Sequence, residues 1–426
     1  MFQYQSILIL SAALASFYDS SFARILDVGP GKTYAKPSAA AAVVKDGDTI
    51  TITPGVYSGD VAIWPADNLL LMGTAKYAHI KANGAHAAGK GSWVIQGNNC
   101  RVRSIEFSEA RVPDQNGAGI RLEGNGITIS DCYFHHNENG ILTGGGSGEI
   151  IIEYSEFAEN GFGDGQSHNM YIGNVASFIL QFCYTHHAKI GHNIKTRALE
   201  NRILYNNSSG GTTGTSSYEL DMPNGGFAYV IGNVFQQGDA TDNPTLLAYG
   251  AEGLKNPGKE LYVINNTFVN DRTNGATFID IAGGTTAKVR NNLIVGAGRL
   301  LSGTADTSGN VSTTAPAFVN KATGDYRLTA GSPAIDKGKD PGSAGTVNLA
   351  PTMQYLHPAN AEKRPVKGAL DAGAFEFGGS ASVLRPRRGM NAPARPRKGG
   401  AWMFRFGFGA GLTGFWNAAG LWEDPG

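Results

Sequence analysis

Three segments of this chain carry titratable side chains at strand spacing: His168-Asn169-Met170-Tyr171-Ile172, His192-Asn193-Ile194-Lys195-Thr196-Arg197 and Ser216-Ser217-Tyr218-Glu219-Leu220-Asp221. In a strand, residues two apart share a face, and equivalent residues of stacked strands lie about 4.8 Å apart. Setting Met170, Ile194 and Tyr218 in one inward column and Ile172, Thr196 and Leu220 in the next puts Tyr171, Lys195 and Glu219 in one outward column. The other outward column then holds Gly173, Arg197 and Asp221, with His168 and His192 just upstream. Such a patch offers the two groups needed to take a proton from the carbon beside a uronate carboxylate. One is a base, for which Lys195, His168, His192 and Tyr171 are candidates; the other is a cation, Arg197, that neutralises the developing enediolate. In this reading Lys195 and Arg197 divide those roles, with His168 and His192 as further catalytic candidates. Tyr171, Glu219, Asp221 and Tyr249 are substrate-binding candidates, Tyr249 continuing the outward column as a platform for a sugar ring. The same residues also fit plain cross-strand ion ladders, Lys195 with Glu219 and Arg197 with Asp221, worth about 0–1 kcal/mol each at a surface.

Other reactive residues form weaker patterns. His135-His136 and His186-His187 each follow an aromatic at one repeat position, which reads as a solvated turn and not as a ligand set. Asp239, Asp242 and Glu252 could join Glu219 and Asp221 as oxygen ligands, so Ca2+ is the one cofactor the residues leave open. No metal site is otherwise assigned. Cys100, Cys132 and Cys183 lack paired metal spacing and allow at most one disulfide, so buried free thiols are expected and no zinc site.

The element that must position these groups is legible as a repeat. An apolar-x-apolar run, an Asn or Asp and then an aromatic recur, as in Ile127-Thr128-Ile129 before Phe134 and Tyr262-Val263-Ile264 before Asn265 and Phe268. The closing positions Phe107, Phe134, Phe157, Tyr184, Tyr205, Phe235, Phe268 and Ile294 are 21 to 33 residues apart. Short strands and Gly/Asn-rich turns at such a period predict a parallel β-helix, in which each coil buries its inward side chains only when another stacks on it. Leucine-rich repeats would need a Leu frame that is absent, and a propeller blade a longer unit. Asn206, Asn233, Asn266 and Asn292 occupy matched places and predict a ladder of stacked amides at one turn.

Both ends of the repeat fit. The Ala-rich amphipathic stretch Ser38 to Lys45, then Asp46-Gly47-Asp48-Thr49-Ile50 and Pro54-Gly55-Val56-Tyr57, resembles the N-terminal helical cap and first coil of right-handed parallel β-helix (pectate-lyase-like) carbohydrate-active proteins. Ser332-Pro333-Ala334-Ile335-Asp336 and Asp371-Ala372-Gly373-Ala374-Phe375-Glu376 resemble the closing segment of that superfamily. Within the repeat, Gly191 to Asn207 resembles the Lys/Arg strand of β-helix lyases that cleave alginate or dermatan chains, and is similar to the coil of mannuronan C5-epimerases. The resemblance implies an all-β fold, a single-stranded right-handed parallel β-helix with three parallel sheets and a helical N-terminal cap. It also implies a lyase cleaving an acidic, uronate-containing polysaccharide by β-elimination. A C5-epimerase or glycoside hydrolase on the same scaffold, and a non-catalytic glycan-binding or adhesin-type protein, remain the alternatives.

Composition bounds the rest. The 426 residues include 59 Gly, about twice the usual share, and only 16% are charged, which excludes a helical bundle or coiled coil. Lys+Arg and Asp+Glu number 35 each, but residues 377–426 hold 7 basic and 2 acidic groups, leaving the body slightly acidic. Net charge in the body therefore advertises no nucleic-acid partner. Three regions are expected: a signal peptide over 1–23 with an apolar core from Ile7 to Ala15, the β-helix over 24–377, and a basic, disordered tail over 378–426 with an aromatic end. The protein is read as an exported monomer, secreted, periplasmic or cell-surface, with no integral membrane segment in the mature chain.

Overall fold

The computed structural model describes residues 23–378 and 383–384; the expected leader and nearly all of the basic tail lie outside the described residues. The described chain is a right-handed parallel β-helix. One sheet has twelve strands, from Ile25–Val28 to Asp306–Ser308; a second has eleven, from Gly55–Ser58 to Val311–Thr313; a third has ten, from Ala62–Trp64 to Gly298–Ser302. Each coil gives one strand to each sheet in turn, so side chains at one register position form columns along the axis.

The interior column of the second sheet runs Ile80, Phe107, Phe134, Phe157, Thr185, Ser208, Phe235, Phe268 and Ile294. Phe107, Phe134 and Phe157 stack with centroids 4.9 and 4.6 Å apart and nearly parallel rings. The aromatic repeat therefore marks the core, with two corrections. At the coils where Tyr184 and Tyr205 were expected, the buried residues are Thr185 and Ser208. Tyr184 points to the outer side, and Tyr205 sits in a turn against Phe182. The apolar stack is thus interrupted at two coils, and polar side chains fill the gap.

The amide ladder holds as expected. Asn206, Asn233, Asn266 and Asn292 each donate Nδ2 to the Oδ1 of the next, ending on Asn310, at 2.9 to 3.0 Å. The Oδ1 atoms of Asn233, Asn266, Asn292 and Asn310 each also accept the backbone N–H of the preceding ladder residue, and that of Asn206 accepts the Cys183 N–H, so the turn's polar groups are paired. Asn233→Ala would strip the acceptor from two buried donors of Asn206 and the donor from the Ile203 carbonyl. The expected loss is at least about 2 kcal/mol in urea unfolding. Lys81→Ala, which breaks only the exposed pair to Glu109, should change stability by about 0.5 kcal/mol or less. Equal losses would contradict the ladder's role.

The N-terminal helix is shorter than its amphipathic stretch. It spans Pro37–Ala41 and buries Pro37, Ala40 and Ala41. Past Ala42 come Val43 and Val44, which favour helix less, and the Asp48 carboxylate accepts the Lys45 N–H at 2.8 Å to form a turn. The closing segment does more than cover the far end. Ala344, Leu349 and Ala361 pack on Phe182, Tyr205 and Ile264, and Tyr326, Tyr355 and Phe375 join Val234 and Val269, so it folds back along the first and second sheets. Neither cluster includes a residue of the third sheet's strands, whose outer face carries the titratable patch. The three cysteines are buried free thiols.

Candidate active site

Strands Met170–Ile172, Lys195–Thr196 and Leu220–Met222 stack in the third sheet with Tyr171 beside Lys195 and Lys195 beside Asp221. Met170 and Leu220 are buried in the core, as are Ile172 and Met222, so Tyr171, Lys195 and Asp221 alternate to the outside. The inward and outward assignment from the sequence therefore stands for these residues. The register of the third coil does not: Leu220 takes the place expected for Tyr218, a slip of two residues. Asp221 and not Glu219 neighbours Lys195. A separate offset of one residue on the next coil, where Asp221 pairs with Ala248, turns Tyr249 inward. It pairs with Met222, is 1% exposed and donates its hydroxyl to the Gly226 carbonyl at 2.6 Å, so it stacks on no sugar.

The outer patch is a connected set of charges. Lys195 Nζ lies 3.5 Å from Asp221 Oδ2 and 3.7 Å from Glu252 Oε1. Arg197 extends past the strand and grips Glu252 with both terminal nitrogens, at 2.8 and 2.9 Å. It also donates Nε to the Tyr171 hydroxyl at 2.8 Å and NH1 to Asn224 Oδ1 at 2.6 Å. The paired ladders, Lys195 with Glu219 and Arg197 with Asp221, are not formed. Glu252 hydrogen bonds raise the Arg197 pKa, keeping it a cation. Burial pushes the Asp221 carboxyl up to about 6, opposed by Lys195, and its Oδ1 is buried without a hydrogen-bond partner. Glu252 entered the sequence reading only as a calcium ligand; no strand period marks it, because it sits in the loop after Thr245–Tyr249.

Both histidines pack against this patch. Gly191 makes their approach feasible, since a Cβ there would fall 1.8 Å from the Ser167 carbonyl oxygen and 2.9 Å from His168 Nδ1. The His192 N–H donates to His168 Nδ1 at 3.0 Å and the two rings stack at 4.6 Å. Burial, reinforced by Lys195 among the nearby charges, lowers His168 to about 3 and His192 to about 2. Such imidazoles stay neutral and are too weakly basic to take a carbon-bound proton at neutral pH. His168 stacks on the Tyr171 ring at 5.7 Å, and His192 Nε2 lies 3.5 Å from Asp221 Oδ2.

Glu219 lies inside the helix. It precedes the strand Leu220–Met222, where alternation has not begun, and is 1% exposed. It accepts from Asn193 Nδ2 and Ser208 Oγ at 2.7 Å and from Ser216 Oγ at 3.0 Å. It ends a second amide chain in which Asn137, Asn160, Asn169 and Asn193 donate one to the next. Thr185 and Ser208, the two polar breaks in the core stack, touch this cluster. Glu219 is therefore a scaffold for the coil bearing Lys195, and not a substrate contact. Nor do Asp239, Asp242, Glu252, Glu219 and Asp221 converge as a calcium set. Among the described residues the only three-ligand group of His, Cys and carboxylates lies elsewhere, on the second sheet.

Burial raises the Glu219 pKa from 4.5 to about 7. A carboxyl that binds its proton more tightly in the folded state adds stability that is full below the unfolded pKa and lost as pH rises through the folded one. Between pH 4.5 and about 7 this group alone should cost about 3 kcal/mol. Glu219→Gln, neutral and able to keep three hydrogen bonds, should flatten that fall and be the more stable protein at pH 8. Urea midpoints of both proteins at pH 5 and 8 check this; parallel profiles would refute the raised pKa.

No protein-family model matches the chain, and no curated protein sequence does. Among solved structures it is similar to the crystal structure of pectate lyase Pel9A, with a TM-score of 0.57 over 84% of this chain and 97% of that one, at 15% identity. The likeness is one of fold. Among the described residues no helix is long and apolar enough to cross a membrane.

Proposed function

We propose that this β-helix is an exported, monomeric polysaccharide lyase that cleaves a uronate-containing chain by β-elimination on the outer face of its third sheet. The observation that carries the reading is the pair Lys195 and Arg197, two cations side by side on that face with Tyr171 bonded to Arg197. Lys195 takes the proton from the carbon bearing the carboxylate. Arg197 holds the carboxylate and stabilises the enediolate; the double bond then forms as the glycosidic oxygen departs and takes up a proton. In the free protein, Glu252 occupies Arg197 with the bidentate geometry a uronate carboxylate would use, and it is 42% exposed, so an incoming chain can displace it. Arg121 lies in the same outward column, three coils from Lys195, and offers a third cation to an acidic polymer lying along the axis. An open sheet face suits an extended chain better than the cavity of about 220 Å³ in the closing segment, which Arg327, Tyr355 and His357 line and which shares no residue with this patch.

The test is a panel of acidic polysaccharides read by ultraviolet absorbance of the unsaturated uronate. The reading expects that absorbance to rise with at least one of them. Reducing ends released without it, or binding without any product, would favour a hydrolase or a glycan-binding protein instead.

A further inference from the structure

We propose that His79, Glu106 and His135 form a binding site for one zinc-class divalent cation on the outer face of the second sheet. They come from three successive coils, on strands Ala78–Lys81, Ile105–Ser108 and Tyr133–His135, with His79 beside Glu106 and Glu106 beside Tyr133. Their ligand atoms all lie within 4.8 Å of one another. Glu106 Oε1 is 3.0 Å from His135 Nε2 and 3.5 Å from His79 Nδ1. Bonds of about 2.0–2.1 Å to a tetrahedral zinc place neighbouring ligands about 3.3 Å apart, so the cation needs little rearrangement to enter.

The second ring nitrogens are already engaged. His79 Nε2 meets Ser108 Oγ at 2.7 Å and His135 Nδ1 meets His136 Nδ1 at 2.9 Å, the outer contacts that orient metal-binding imidazoles. Side-chain exposures of 17% for each histidine and 22% for Glu106 leave a fourth position open to water. Two imidazoles and one carboxylate select a zinc-like ion over Ca2+ or Mg2+, which take oxygen ligands.

The fold contains its own control. Two coils on, His186 Nε2 meets Glu156 Oε1 at 3.2 Å and His186 Nδ1 meets His187 Nδ1 at 2.8 Å, repeating the Glu106–His135–His136 arrangement. There, however, the residue beside Glu156 on the preceding coil is Tyr133, which replaces the first histidine. His135 and His186 are thus on strands, paired to glutamates, and not in the solvated turns their sequence suggests.

The experiment titrates chelator-stripped, untagged full-length protein with Zn2+ alone by calorimetry, and with Co2+ by visible absorbance. One equivalent of Zn2+ should bind, with a tetrahedral Co2+ spectrum. Binding should weaken at least about tenfold in His79→Ala and in Ser108→Ala, which removes only an outer contact, and stay unchanged in Glu156→Gln. Ser108→Ala keeps every ligand and guards against a His79→Ala protein that does not fold. No uptake of either ion by the wild type, uptake that both variants leave unchanged, or uptake that Glu156→Gln abolishes would overturn the site.

Discussion

Lys195→Ala should lower turnover by about 10²-fold or more while the β-helix stays folded, because it removes the base and nothing from the core. Lys195 is a partly exposed outer-face residue, and losing it leaves Asp221 without its cation. Lys195 opposes the burial that raises the Asp221 pKa, so without it that carboxyl shifts further toward its neutral form, which limits the structural damage. Lys195→Arg sharpens the test. It keeps a positive charge beside Asp221, yet a guanidinium does not deprotonate at neutral pH. Turnover should fall as far as in the alanine protein, with melting temperature near that of the wild type. If Lys195→Arg stays active, charge and not proton transfer is what the position supplies. Tyr171 then becomes the next base to test, since its hydroxyl lies on the same outer face, 2.8 Å from Arg197 Nε.

Arg197→Ala should lower kcat and raise KM together, with kcat/KM down by about 10- to 10²-fold, because its contact to the carboxylate exists before and during the reaction. Arg197→Lys should recover only part of the loss, as an ammonium cannot reproduce the two-pronged grip that Glu252 now receives. Glu252→Gln is the counterpart: it weakens the internal competitor and should lower KM. A surface ion-pair network predicts another pattern, in which these changes shift melting temperature slightly and leave turnover alone. Steady-state kinetics and thermal melts on the same three proteins separate the two.

Most of the fold was legible because a β-helix repeats its demands. Phe107, Phe134, Phe157, Phe235 and Phe268 fill one column, and Asn206 to Asn292 fill one turn, so each coil confirms the last. The reading failed where a coil departs from its neighbours. Thr185 and Ser208 are polar and inward, and pattern alone favours the adjacent Tyr184 or the nearby Tyr205. The slip at Leu220 is harder to see, since a shift of two residues keeps every side chain on its own face and hydrophobic alternation cannot detect it. A glycine-rich stretch, Gly210, Gly211 and Gly214, lengthens the coil just before that strand and removes any fixed count. Lys195, Tyr171 and Asp221 survived the slip because their outward direction depends on alternation alone. Glu219 and Tyr249 failed for other reasons: Glu219 precedes the strand in which alternation holds, and Tyr249 is offset by one residue, with Ala248 opposite Asp221. His79 and Glu106 gave no signal, and His135 was read with His136 as a solvated turn, because the three ligands come from positions 27 and 29 residues apart.

The proposed reaction is proton removal at the carbon beside a uronate carboxylate followed by loss of the glycosidic oxygen. Proton NMR of an acidic polysaccharide incubated with the protein in D2O reads both steps at once. A lyase should give a vinylic proton at the new chain end, growing with time in the wild type and absent with Lys195→Ala. Deuterium entering that carbon in uncleaved chains would instead mean epimerisation, and new reducing ends without a vinylic proton would mean hydrolysis; either result would contradict the lyase assignment.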